Sequence, residues 1–137
     1  MKFINHFLPL AFTVLLFTSC NSKAQNPTQS TTASSNAEIE VIQFHSENRC
    51  KTCLAIESLT RETLKDYPAI SFSTVNVDKS ENEKMADEFE AFGTSLFLYN
   101  PETGAKKNLT EFAFMNAGKE EKFRQELREE IDQFLKS

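Results

Sequence analysis

The sequence predicts an α/β domain: a four-stranded mixed sheet with helices on both faces, in the order β-α-β-α-β-β-α. Three observations carry this. Short β-branched and aromatic runs ("EIEVIQFH", "AISFSTVNVD", "TSLFLYN") are separated by longer segments whose apolar residues recur at three- and four-residue steps. The two connections holding those segments are long enough for right-handed crossovers between parallel strands. The third strand is followed at once by "NPETG" (100–104), whose proline and glycine suit a tight reversal into an antiparallel partner.

The first strand, residues 38–45, is apolar through its centre, as a buried strand should be. Asn48 stands where it can cap the helix that follows. In that helix Ile56, Leu59, Thr60, Thr63, Leu64 and Tyr67 form one amphipathic face, and Pro68 ends it. Strand two covers 69–78, with Ile70, Phe72, Val75 and Val77 as its core side chains. "SENEKMADEFEAFG" (80–93) reads as the second helix. Ser80 and Glu83 offer a capping box, Met85, Ala86, Phe89 and Phe92 the buried side, and Gly93 the stop.

"TSLFLYN" (94–100) is the third strand, and "AKKNLTE" (105–111) returns beside it. "EFAFMNAG" is expected as a loop near the active end, with Phe112–Met115 counted as core. The last helix spans 119–136, with Phe123, Leu127, Ile131 and Phe134 on one stripe. Its charges, "KEEKFRQELREEID", form a solvated face with i,i+4 pairs. No internal repeat is visible.

Ahead of the domain, Lys2 and the apolar run Phe7–Phe17 read as a secretory leader over residues 1–19. The run is shorter than the ~20 apolar residues of a membrane span. It ends in "LFTSC", which resembles a bacterial lipoprotein box with Phe17 in place of the usual leucine. The resemblance implies acylation of Cys20 and cleavage just before it, and several acyl chains give lasting attachment at ~0.8 kcal/mol per CH₂. Residues 21–37 hold no large apolar side chain and read as a flexible spacer, so the domain begins at about residue 38. No acidic run of the kind that resembles a cell-exterior display signal follows Cys20, so the expected location is the periplasmic side of the envelope.

The chain of 137 residues carries a formal charge of −5, and loss of residues 1–19 removes only Lys2, leaving −6. That balance argues against nucleic acid and against electrostatic docking on anionic lipid. Of the three cysteines, acylation of Cys20 leaves Cys50 and Cys53 as a closed pair.

"ENRCKTCLAIESL" (47–59) places that pair where a strand hands over to a helix. Residues i and i+3 share a helix face and are within disulfide reach. A staple across so small a loop stabilises little. A structural zinc site wants four ligands, and His45 is the only histidine of the mature domain, so a metal reading needs carboxylates or a second chain. The redox reading has a physical basis: a helix N-terminus lowers the pKa of its first thiol, and Arg49 and Lys51 favour thiolate further, less so at physiological salt. Cys50 is then the nucleophile and Cys53 the resolving thiol.

Across residues 38–137 the chain resembles the thioredoxin-like superfamily. More narrowly, "VIQFHSENRCKTCLAIE", "GTSLFLY" and "NLTEFAFM" are similar to a family of small bacterial lipoproteins termed nitrophenyl compound nitroreductase subunits, associated with arsenic-resistance gene clusters. That resemblance implies electron supply to a reductase; no GxGxxG or flavin fingerprint is present, and neither cofactor nor resident metal is expected. It also places Thr94 where thioredoxins carry a cis-proline facing the dithiol. A trans peptide is expected there, because cis before a non-proline residue costs ~2.5–4 kcal/mol. The buried acid of thioredoxins, six residues before the first cysteine, falls on Phe44, leaving His45, Glu47 or water to take the proton of the second thiol. Arg49 replaces their tryptophan.

Two functions are expected to compete. One is a membrane-tethered thiol–disulfide oxidoreductase acting on periplasmic protein thiols and disulfides, supplied by an integral-membrane thiol reductase. The other is a dithiol binding protein for arsenite or a soft metal.

Overall fold

The computed structural model describes residues 39–137. The expected leader (1–19), acylated Cys20 and spacer (21–37) lie outside the described residues. Four strands form one sheet: β1 (Glu40–His45), β2 (Ser71–Asn76), β3 (Ser95–Tyr99) and β4 (Lys106–Asn108), in the spatial order β2-β1-β3-β4. β1 and β2 run parallel, with Val41 opposite Phe72 and Phe44 opposite Val75. β3 is antiparallel to both of its neighbours, pairing Ile42 with Phe97 and Leu98 with Lys107. The helices are α1 (Lys51–Thr63), α2 (Glu83–Glu88), α3 (Thr110–Asn116) and α4 (Glu120–Phe134). The predicted class stands, with one helix more than the sequence reading counted.

Side chains alternate across each strand, and the two faces carry different cores. Ile39 and Val41 of the first strand segment, with Leu96 and Leu98 of β3, meet α1, α3 and α4 through Ile56, Leu59, Ala113, Phe123, Leu127 and Ile131. On the opposite face Ile42, Phe44 and Phe97 meet Phe89 and Ala91, at and beyond the end of α2. Phe44, Phe89 and Phe97 are mutually in contact, with ring centroids 5.2–5.7 Å apart.

α1 buries Ile56, Leu59, Thr60 and Thr63 as its periodicity predicts. A 3₁₀ turn at Leu64–Asp66 follows, and Tyr67 is half-buried with its hydroxyl donating to Asp132 (3.0 Å). β2 lies at the sheet edge, so Ile70, Phe72 and Val77 are only partly covered.

Three local expectations are corrected. Ser80 and Glu83 make no capping box: Ser80–Asn82 is a 3₁₀ turn and α2 starts after it without a side-chain cap. α2 stops at Glu88, well short of Gly93. Phe89 is its last capping residue and Glu90 takes a left-handed conformation, φ 52°. The Ala91 N–H reaches Ala86 O (2.8 Å) and the Glu90 N–H reaches Asp87 O (3.0 Å), the double hydrogen bond of a Schellman stop, closed by the buried pair Ala86 and Ala91. The helical phase is lost there, so Phe92 points outward at 84% exposure instead of inward. Finally, the segment expected as a loop is α3. Its Ala113 is buried and Phe112 packs on Phe123, whereas Phe114 and Met115 are exposed and do not join the core.

Candidate functional site: the Cys50–Cys53 pair

β1 delivers the chain to His45, and residues 46–50 turn it into α1. That loop is pinned at Glu47, whose N–H donates to Asp78 Oδ2 (2.7 Å) and whose carboxylate accepts from the Asn76 amide. Cys50 is extended (φ −79°, ψ 163°) and is the N-cap of α1, its Sγ accepting the Cys53 N–H at 3.1 Å. Sulfur thus takes the place that a serine or asparagine oxygen holds at other helix starts. The predicted cap, Asn48, is exposed and has no such role.

Cys50 and Cys53 are joined in a disulfide, their Cα atoms 5.1 Å apart. Cys50 is exposed, while Cys53 is only 5% accessible. An incoming thiolate therefore meets Cys50 Sγ, and Cys53 is the sulfur that departs. Once the bond opens, a Cys50 thiolate sits at the positive end of a 13-residue helix and accepts a backbone N–H, and both features favour the anion.

The departing sulfur is met from the bend that leads into β3. Thr94 Oγ1 donates to Cys53 Sγ at 3.1 Å, so Thr94 does face the dithiol, and the peptide before it is trans. The neighbouring Leu96 is held on both backbone groups: its N–H donates to Thr110 Oγ1 (3.2 Å) and its carbonyl accepts the Leu109 N–H (2.7 Å). The start of α3 thereby fixes the strand end that carries Thr94.

Phe44, at the place counted for a buried acid, faces the α2 side of the sheet and is not beneath the sulfurs. The α1 side of β1 belongs to Val41 and Gln43. Gln43 is fully buried, and its Nε2 donates to the Cys53 carbonyl (3.0 Å), while its Oε1 is buried without a partner. Sequence reasoning missed Gln43, although a lone amide in an apolar strand was the available signal. His45 is half-buried with Nδ1 3.0 Å from Ser46 O, and Glu47 is engaged with Asn76. Neither is hydrogen-bonded at the sulfurs.

Arg49 is largely covered and forms an ion pair with Glu57. Glu57 Oε1 also accepts from Arg61 Nε and Nη2 (3.0 and 2.8 Å). Burial raises the Glu57 pKa, but the hydrogen bonds from Arg61 and Arg49 together outweigh it and hold the carboxyl below its usual range. Much of the Arg49 charge is thus answered by Glu57 rather than presented to Cys50. Lys51, exposed at the first position of α1, remains free to favour the thiolate. Among the described residues, no group of three or more His, Cys, Asp and Glu side chains converges as a metal site.

No family model matches the chain, and no curated protein does. Solved structures similar to it include thioredoxins. Oxidised thioredoxin O2 from Arabidopsis thaliana is 19% identical, with 52% of this chain and 60% of that one covered and a TM-score of 0.43. Fasciola hepatica thioredoxin is 20% identical, with 53% and 65% covered and a TM-score of 0.42. Oxidised mitochondrial thioredoxin 3 from Saccharomyces cerevisiae is 21% identical, with 59% and 76% covered and a TM-score of 0.43. The chain spans less than two thirds of the first two. By its own topology, a 2-1-3-4 sheet with β3 antiparallel and a disulfide opening α1, the chain has a thioredoxin-like fold.

Proposed function

We propose that this protein is a thiol–disulfide oxidoreductase tethered to the membrane through Cys20, with its domain in the periplasm. One observation carries the reading: the exposed sulfur of the pair is at the helix start and its partner is covered. In the reducing direction the Cys50 thiolate attacks a substrate disulfide, and one substrate sulfur leaves as thiolate. Cys53, deprotonated, then attacks Cys50 Sγ, the mixed disulfide breaks, and the second substrate sulfur departs with its electron pair. Two electrons pass from the dithiol to the substrate, and the pair ends oxidised. The chemistry uses only the two sulfurs.

The substrates are periplasmic protein thiols and disulfides, and an integral-membrane thiol reductase restores the dithiol. Exposed Leu54 and Phe92, next to Cys53 and two residues before Thr94, offer apolar contact to a polypeptide. The resemblance to nitrophenyl compound nitroreductase subunits extends the reading to electron supply for a reductase. Cys53→Ser removes the resolving thiol, so a mixed disulfide should accumulate on Cys50 in cells. Cys50 remaining unmodified in that variant would sink the proposal. The competing dithiol reading, arsenite or a soft metal held by both sulfurs, predicts instead tight binding by the reduced protein, lost in Cys50→Ser, with little insulin-reducing activity.

A further inference from the structure

Each sulfur of the pair has its own hydrogen-bond donor. Cys50 Sγ takes the Cys53 N–H and Cys53 Sγ takes the Thr94 hydroxyl, both at 3.1 Å. The first donor is backbone and comes with the helix start. The second depends on one side chain from the bend before β3. Cys53 is 5% accessible, so water solvates its sulfur poorly, and burial disfavours a thiolate. The buried amide beneath it, Gln43, spends its N–H on the Cys53 carbonyl, and Phe44 faces the other side of the sheet. The Thr94 hydroxyl is the side-chain donor that reaches this sulfur. Resting on the oxidoreductase reading, we infer that Thr94 is a catalytic hydrogen-bond donor that stabilises negative charge on Cys53 Sγ as that sulfur leaves or attacks.

During reduction of the pair, an external thiolate attacks Cys50 Sγ. A bond forms between the two, the Cys50–Cys53 bond breaks, and Cys53 departs as a thiolate holding the electron pair. A second thiol of the reductant, as its thiolate, then attacks the mixed disulfide and releases Cys50. In the opposite direction the Cys53 thiolate attacks Cys50 Sγ and expels the substrate sulfur. Thr94 keeps its own proton throughout, acting as donor and never as base. A hydrogen bond to an anion is roughly twice as strong as one to a neutral acceptor. The hydroxyl therefore favours the charge-bearing transition state over the resting disulfide.

The test compares Thr94→Val, which keeps the shape and loses the hydroxyl, with Thr94→Ser, which restores it; circular dichroism checks folding, and Thr94→Ala replaces Thr94→Val if the latter is unfolded. The Cys53 thiol is titrated in a Cys50→Ser background, and reduction of the intact pair by dithiothreitol is timed. In Thr94→Val the Cys53 pKa should rise by about one and reduction should slow about threefold, because a poorer leaving thiolate departs more slowly. Thr94→Ser should return both toward the original values. An unchanged pKa and rate in folded Thr94→Val would overturn the inference, as would failure of folded Thr94→Ser to restore them. These readouts need no cellular partner. A Thr94 effect without a trapped mixed disulfide in Cys53→Ser would thus overturn the function alone, and a trap without a Thr94 effect would overturn this inference alone.

Discussion

Opposite substitutions in one stretch of chain, glycine in at Glu90 and glycine out at Gly93, should both stabilise the domain. The left-handed residue that stops α2 is Glu90 (φ 52°), while Gly93 has ordinary backbone and nothing within 4 Å of an added Cβ. An L-residue in the left-handed region costs roughly 1–2 kcal/mol. Glycine there removes that strain but adds about 0.4–1 kcal/mol of unfolded-chain entropy. The Schellman hydrogen bonds at 2.8 and 3.0 Å are backbone bonds and survive the change, and the Glu90 side chain is exposed. Glu90→Gly should therefore stabilise the domain by about 0.8 kcal/mol, within about 0–1.6 from those two ranges, raising Tm by about 3–6 °C. Gly93→Ala should stabilise by about 0.4–1 kcal/mol through the unfolded state alone. Thermal and urea unfolding followed by circular dichroism measure both. Glu90→Gly destabilising the domain, or Gly93→Ala lowering stability by more than about 1 kcal/mol, would mean that the helix stop has been misplaced.

Two more predictions concern the frame around the site. Phe44→Ala empties the centre of the aromatic cluster with Phe89 and Phe97 and should cost about 3–5 kcal/mol in urea unfolding. A loss under about 1 kcal/mol would contradict its burial. Glu57 has a folded pKa held below the usual carboxylate range, so its stabilising contribution is present above the unfolded pKa and fades as pH falls through the folded one. Glu57→Gln should be less stable than the parent at neutral pH, with the gap closing as pH drops below the carboxylate range. A gap that stays constant with pH would remove the ion-pair account.

Much of the architecture was legible in the chain. The apolar strand runs, the α1 face from Ile56 to Leu64, and the "NPETG" reversal report local preferences that tertiary packing reinforces. α3 was legible but overlooked: Leu109, Phe112, Ala113 and Asn116 have helical spacing, and three of them are buried. The end of α2 was not legible, because a glycine three residues past Glu90 is the stronger local signal. Only backbone hydrogen bonding to Ala86 and Asp87 picks out the true stop.

For the site, spacing and chain order determined that Cys50 and Cys53 share one turn at a helix start, and that Cys50 comes first. Those are short-range matters, settled within a few residues. What the tertiary structure decided is what arrives from elsewhere: the Thr94 hydroxyl bonded to Cys53 Sγ, at a position that resemblance and not spacing had pointed to, Gln43 beneath it, and Glu57 drawing the charge of Arg49 away. Which face of a strand a residue occupies, and which carboxylate an arginine meets, depend on how the layers stack. No count along the chain contains that information.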